Sequence, residues 1–253
     1  MNNSEKSKKG LWLTLLSALI IIVLAGLAFL PSIMNRQTSA TTFDSALDAD
    51  AMQALGAAGA YVAANDFETT MNGTIKAKVV GIPYTQKVHG KRTVSGEQFC
   101  DVAESTSALV KAAIKRERKD GSYYVSQGNY KNKAFSYPAA KQLSHDKYVS
   151  QYGQPFTGIV KYNLNNTVLK AEKVGQNKYV FTLDPAQATL YSRNEVKTTL
   201  GGKSYPKYES VTFTLVTDGE RPVKVTATEK FTVDKFGGTS CTAQYTEVFK
   251  FNN

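Results

Sequence analysis

The hydrophobic positions of this 253-residue chain follow three successive patterns. Residues 11–30 form an apolar run of twenty residues that contains no charge. From Leu47 to Val62, apolar residues recur at every third or fourth position, which predicts one amphipathic helix. After Asn65, apolar and polar residues alternate along several segments, and this period of two is typical of half-buried strands. The patterns therefore predict an anchor, a helix and a β-rich domain, in that order.

The apolar run is long enough to cross a membrane, since twenty helical residues span about 30 Å. Three lysines just before it place the N-terminus in the cytoplasm. A cleaved signal peptide is the alternative, although its apolar region normally covers about 7–15 residues. We expect a single-pass protein of the cell membrane with a cytoplasmic stub at 1–10, a transmembrane signal-anchor helix at 11–30, a tether at 31–43 and an extracytoplasmic domain at 44–253.

Turn-forming residues divide the β-rich domain into hairpins. Asp120-Gly121 and Asp218-Gly219 are strong hairpin signals, and residues 175–177 separate two further alternating segments. Asp184 before Pro185 predicts the start of a helix, because Asp is a favoured N-cap and Pro a favoured first residue. Residues 137–156 are typical of a partly helical crossover. The predicted fold class is α+β: a mainly antiparallel sheet with an N-terminal helix and one or two helical insertions packed on it.

The net charge of +10 favours anionic partners such as lipid headgroups or cell-wall polymers. The charges are spread along many predicted strands, so a surface that is simply basic is the alternative. The densest basic run is a candidate contact for anionic lipid or polymer: Lys111, Lys115, Arg116, Arg118 and Lys119. An edge strand protected by charge explains the same run. Nucleic acid is not an expected partner, because such binding also needs aromatic platforms beside the cations.

The chain contains none of the patterns that indicate a catalytic centre. Its two histidines, His89 and His145, lie in no hydrolase, metalloprotease or paired-cysteine motif, and no glycine-rich loop joins a strand to a helix. We predict a protein that is not an enzyme and has no cofactor or metal. Cys100 and Cys241 are candidates for one disulfide, which would stabilise an exported domain by about 4–5 kcal/mol. Two buried thiols are the alternative.

Two carboxylates interrupt apolar rows in the last two predicted strands. Glu229 shares a face with Val225 and Phe231, and Glu247 shares one with Tyr245 and Phe249. A carboxylate on an interior face is costly unless it is paired or solvated. One interpretation is a water-accessible cavity that these residues line: Glu229, Phe231, Tyr245, Glu247 and Phe249. The alternative is a bulge that shifts the register and exposes both glutamates.

The layout resembles the LolA/LppX-type half-barrel proteins of bacterial envelopes, across about Asp44 to Phe251. The resemblance is carried by the order of elements and by KDGSYYVS, NKYVFTLDP and EKFTVDKFGGTSCTAQYTEVF. It implies an incomplete barrel that wraps a helix and encloses an apolar cavity for acyl chains. Many members are lipid-anchored, whereas here the lipobox-like stretch Leu24 to Leu27 has Leu in place of Cys. The leading hypothesis is a membrane-anchored protein that binds a lipid or amphipathic ligand. The alternative is a cell-wall or protein-interaction module that binds through a basic β surface.

Overall fold

The computed structural model describes residues 46–79, 81–108, 111–138, 140–152, 158–159, 167–200, 205–233 and 238–251. The predicted stub, anchor helix and tether at 1–43 lie outside these ranges. Within the ranges, no helix is long and apolar enough to span a membrane.

Three helices occur at or near the predicted positions: α1 at Ala49–Ala64, α2 at His145–Tyr152 and α3 at Pro185–Leu200. The helix α1 begins after Asp48, whose Oδ1 accepts a hydrogen bond of 3.1 Å from the backbone N–H of Ala51. The helix α3 begins after Asp184, whose Oδ1 accepts a hydrogen bond of 2.8 Å from the backbone N–H of Ala186. Both starts follow from the capping chemistry of the sequence.

Thirteen strands make up the rest of the described fold. They are β1 Phe67–Val79, β2 Ile82–Ser95, β3 Gln98–Thr106, β4 Lys111–Lys119, β5 Ser122–Gln127, β6 Asn129–Lys131, β7 Ala134–Ser136, β8 Lys141–Leu143, β9 Val168–Gly175, β10 Lys178–Leu183, β11 Pro206–Asp218, β12 Arg221–Val233 and β13 Thr239–Phe251. The strands β6 and β7 form a separate hairpin. The other eleven form one open antiparallel sheet, as the fold-class prediction requires and as an incomplete barrel would show.

The strand order is β8-β5-β4-β3-β2-β1-β13-β12-β11-β10-β9. The first and last strands therefore pair at the centre, with Phe67 opposite Phe251. The predicted hairpin at Asp120-Gly121 is confirmed, and both turn residues have positive φ, 51° and 74°. The strand β4 lies between β3 and β5, so its interpretation as a charge-protected edge is wrong.

The sheet has two different faces, which we call the helix face and the open face. The helix α1 packs on β9 to β12, α3 packs on β11, and α2 packs on β5 and α3. The predicted apolar stripe of α1 is confirmed as buried: Ala51, Leu55, Ala58 and Val62. On the helix face, Gly73 lies opposite Tyr245, and a Cβ there would fall 2.4 Å from the tyrosine Cδ1. This glycine lets the ring cross β1. The open face carries the alternate, mostly polar residues.

Candidate ligand-binding site

A cluster of four charged side chains interrupts the apolar helix face between β2, β3, β4 and β13. Arg92, Asp101 and Arg116 lie directly opposite one another on three neighbouring strands. Arg116 donates to Asp101 Oδ2 from Nε at 3.0 Å and from Nη2 at 2.5 Å. Arg92 Nη2 donates to Glu247 Oε1 at 2.7 Å and to the Gly158 carbonyl at 3.2 Å. We call Arg92, Asp101, Arg116 and Glu247 the ionic cluster.

The ionic cluster is buried, so its stability depends on internal pairing. Arg92, Asp101 and Arg116 are each at most 5% exposed. Burial raises the pKa of Asp101, and the positive charges of Arg116 and Arg92 oppose that rise. Both bonds from Arg116 end on Oδ2, and Asp101 Oδ1 has no hydrogen-bond partner in the described part of the chain. A buried acceptor without a donor costs about 1–3 kcal/mol. The cluster therefore retains one unsatisfied acceptor inside the domain.

Apolar side chains surround the ionic cluster on the helix face. Val94 and Phe99 lie on one side of it, and Ala103 and Ile114 lie on the other. They share the face of the ionic cluster, because every second residue of a strand points to the same side. All four are buried. The surroundings of Asp101 therefore combine an apolar wall with a polar centre.

A cluster of three aromatic rings lies at the end of the site formed by β5 and α2. The rings of Tyr123 and Tyr148 are stacked with centroids 4.6 Å apart, and Phe99 lies 6.1 Å from Tyr148. Tyr148 is 2% exposed, and burial raises its pKa to about 12. The phenol of Tyr148 therefore stays neutral at physiological pH, and this end of the site is an apolar wall with a hydroxyl.

The five residues predicted to face a cavity all lie on the helix face, and the pairing of β12 with β13 has no register shift. The pairing of β11 with β12 shifts between Tyr208 and Ser210, yet Glu229 beside it is only 1% exposed. The alternative that a bulge exposes the glutamates is therefore wrong. Glu229, Phe231, Tyr245 and Phe249 are at most 5% exposed and belong to the packed interior. Burial, with Glu229 nearby, raises the pKa of Tyr245. Contact of these four with a ligand stays a prediction, whereas Glu247 belongs to the ionic cluster.

The five cations of the basic run do not form one surface. Arg116 is buried in the ionic cluster, so its predicted surface contact is wrong. Arg118 pairs with Glu97 at 2.7 Å, and Lys115 pairs with Glu117 at 2.8 Å. Two more remain exposed at the ends of β4, where Lys111 lies over the Tyr130 ring and Lys119 enters the turn.

The predicted disulfide between Cys100 and Cys241 is wrong, since both cysteines are free. Cys100 lies on β3 and Cys241 on β13, with β2 and β1 between them. Three strand spacings of about 4.8 Å separate the two strands by about 14 Å, whereas a disulfide needs Cα atoms within about 7 Å. The alternative of two buried thiols is correct for Cys241, whereas Cys100 is unpaired but only half-buried. Burial raises the pKa of Cys241 to about 12.

The sequence analysis missed Arg92 and Asp101, although a signal for them exists. Arg92 occupies the same phase as Val88 and Val94, and Asp101 occupies the same phase as Phe99. That break in an apolar row is the signal that identified Glu229 and Glu247. Elsewhere in the described ranges, no three His, Cys, Asp or Glu side chains are grouped as a metal site would require.

Comparisons with known proteins place the chain near two solved structures. No family model and no curated protein matches. A domain from Vibrio parahaemolyticus described as an outer membrane lipoprotein-sorting protein matches with 14% identity over 80% of this chain and 94% of that one, at a TM-score of 0.34. A DUF1329 family protein from Desulfovibrio piger matches with 11% identity over 80% of this chain and 93% of that one, at a TM-score of 0.29. Both matches have TM-scores under 0.5, and neither carries an argument about the family or the ligand of this chain.

Proposed function

We propose that this chain is a non-enzymatic binding protein of a bacterial envelope, which holds a lipid or other amphipathic molecule against the helix face of its sheet. One observation carries the proposal. Among the described residues the buried Asp101 Oδ1 has no donor, and apolar side chains lie on both sides of the ionic cluster. A ligand with a hydroxyl or ammonium group next to an apolar chain would donate to that oxygen and pack against the apolar side chains beside it. The helices α1 and α3 occupy the other half of the same face.

The proposal includes an anchored location outside the cytoplasm. The apolar run at 11–30 and the lysines before it support a single N-terminal helix with the domain outside. A fixed anchor suits a protein that holds its ligand at one membrane and not one that carries the ligand between membranes.

Native mass spectrometry and organic extraction of the purified full chain test the proposal. The decisive comparison is Asp101→Asn against Glu97→Gln, since both substitutions replace a carboxylate by an amide of the same shape, and Glu97 is an exposed residue outside the site. We expect wild-type protein and Glu97→Gln to carry bound lipid, and Asp101→Asn to retain at least about tenfold less, which corresponds to about 1.4 kcal/mol. A wild-type protein without lipid would refute the proposal, as would equal retention by both variants.

A further inference from the structure

Alternation along the strands gathers much of the positive charge of the domain on the open face. On the four central strands β2, β1, β13 and β12, seven lysines point to this face: Lys76, Lys78, Lys87, Lys91, Lys224, Lys230 and Lys250. The single acidic residue on the same face of these four described strands is Glu68, which pairs with Lys91. Lys230 pairs with Glu209 of the neighbouring β11 at 2.8 Å. The lysines that are dispersed in the sequence therefore form one basic surface in the fold.

An open groove of about 580 Å³ lies in the middle of this surface. Its floor crosses β13, β1, β2 and β3 in two adjacent rows, because Gln244, Thr74 and Lys87 are in register, as are Thr246, Asn72 and His89. The His89 Nδ1 and the Asn72 Oδ1 are 2.9 Å apart. The floor therefore offers hydroxyl and amide groups together with cations.

Lysines border both sides of the groove. Lys76 follows Thr74 by two positions, and Lys91 follows His89 by two positions in the opposite direction. With about 3.4 Å per strand residue, the Cα of Lys87 lies roughly 8 Å from that of Lys76 and roughly 14 Å from that of Lys91. Cations that are spaced along the groove in this way suit a ligand with repeated anionic groups better than one with a single anion.

The groove is closed on one side by an acidic residue. At the β3 end, Glu104 Oε1 accepts a hydrogen bond of 2.8 Å from the Tyr137 hydroxyl, which follows the β6–β7 hairpin. Burial and the nearby carboxylate raise the pKa of Tyr137, so it remains a donor. Toward β12 the two rows continue with Thr228 and Thr226, and lysines flank them. An anionic chain would therefore enter from the β12 side.

We infer that the groove of the open face binds a linear polyanion whose polyol or sugar backbone carries repeated phosphate or carboxylate groups. The threonine, asparagine and glutamine groups of the floor bind the hydroxyls of the backbone, and the lysines at the borders bind the anions. A membrane surface fits less well, because hydroxyl and amide side chains line the groove and bind a polyol or sugar better than a lipid headgroup layer. This site lies on the face opposite the ionic cluster, and the inference does not depend on the proposed lipid ligand.

Titration of the full chain with poly(glycerol phosphate) of about twenty units, by isothermal titration calorimetry, tests the inference. The variant Lys76→Glu/Lys87→Glu is compared with Lys141→Glu/Lys147→Glu, which makes the same charge change at exposed positions on β8 and α2. We expect the groove variant to lower the affinity at least about tenfold and the control to lower it less than about twofold. The variant Lys76→Gln/Lys87→Gln should give a smaller loss.

Two further measurements separate a groove from general attraction between charges. Gln244→Ala leaves the charge unchanged and should still lower the affinity a few-fold, and neutral dextran should not bind. Binding should weaken strongly at 0.5 M NaCl, where the Debye length is only about 4 Å. The inference would be overturned if the groove and control variants lost affinity for the polymer equally, or if Gln244→Ala bound it as tightly as wild type. An absence of polymer binding, or tighter binding to anionic lipid vesicles than to the polymer, would also overturn it.

Discussion

Substitution of Arg116 by Met should be among the most destabilising changes in the domain, although Arg116 lies in a stretch that looks like surface. Counted over the side-chain atoms alone, Arg116 is 5% exposed and its partner Asp101 is 8% exposed. Met keeps most of the side-chain volume but leaves the carboxylate buried without its main partner. Breaking a buried pair from one side costs about 3–5 kcal/mol. That is a large part of a typical folding free energy of about 5–15 kcal/mol.

Arg118→Met is the matched control, since it changes the same residue type two positions along β4. Arg118 pairs with Glu97, whose side chain is 83% exposed. A pair screened by water contributes at most about 1 kcal/mol. Urea denaturation followed by circular dichroism gives both free energies of unfolding, with similar m-values expected for all variants.

The double variant Arg116→Met/Asp101→Leu removes both charges and should recover most of the lost stability, because an apolar pair no longer has to be desolvated. The reasoning would be refuted if Arg116→Met and Arg118→Met cost the same within about 0.5 kcal/mol. It would also fail if the double variant were less stable than Arg116→Met alone. Either result would mean that water reaches the ionic cluster.

Four further predictions concern other parts of the fold. Gly73→Ala should destabilise by about 1–3 kcal/mol in thermal melts, because its Cβ would collide with a tyrosine ring, whereas Gly56→Ala, in open space on α1, should stabilise by up to about 1 kcal/mol. Phe181→Ala removes a ring that is fully buried and stacked, and should cost about 3–5 kcal/mol in urea denaturation. Cys241 should react with Ellman's reagent only after denaturation, since it is 1% exposed and its pKa is raised to about 12; rapid native reaction would contradict this. Hydrogen bonds from a serine hydroxyl and a backbone N–H lower the pKa of Asp66, so its stabilisation is present above its unfolded pKa of about 3.9 and is lost as the pH falls through the folded pKa. The urea midpoints of wild type and Asp66→Asn should therefore converge below about pH 3.9.

Local chemistry explains why the elements could be predicted from the sequence. The hairpin at Asp120-Gly121 and the helix start at Asp184 depend on neighbours within a few residues, and both occur where expected. The buried stripe of α1 follows from its period alone. Such features need no knowledge of which strands are adjacent.

The site could not be predicted in the same way, because it depends on the pairing of distant strands. Arg116 looked like a surface cation until β3 placed Asp101 opposite it. The cysteine prediction failed for the same reason, since strand membership alone does not give the number of strands between Cys100 and Cys241. The basic open face was also hidden, because its lysines are far apart in the sequence and meet only through register.

The pairing of β1 with β13 has a consequence for how the chain assembles. The strands β1 to β5 form one meander of consecutive hairpins. The strands β9 to β13 form a second meander, in which α3 connects β10 to β11, and the two meet in the sheet along the β1–β13 seam. During synthesis the second side of that seam emerges last, so each meander can form its local turns before the halves dock. A chain divided between α2 and β9 would then yield two fragments that reassemble along this seam.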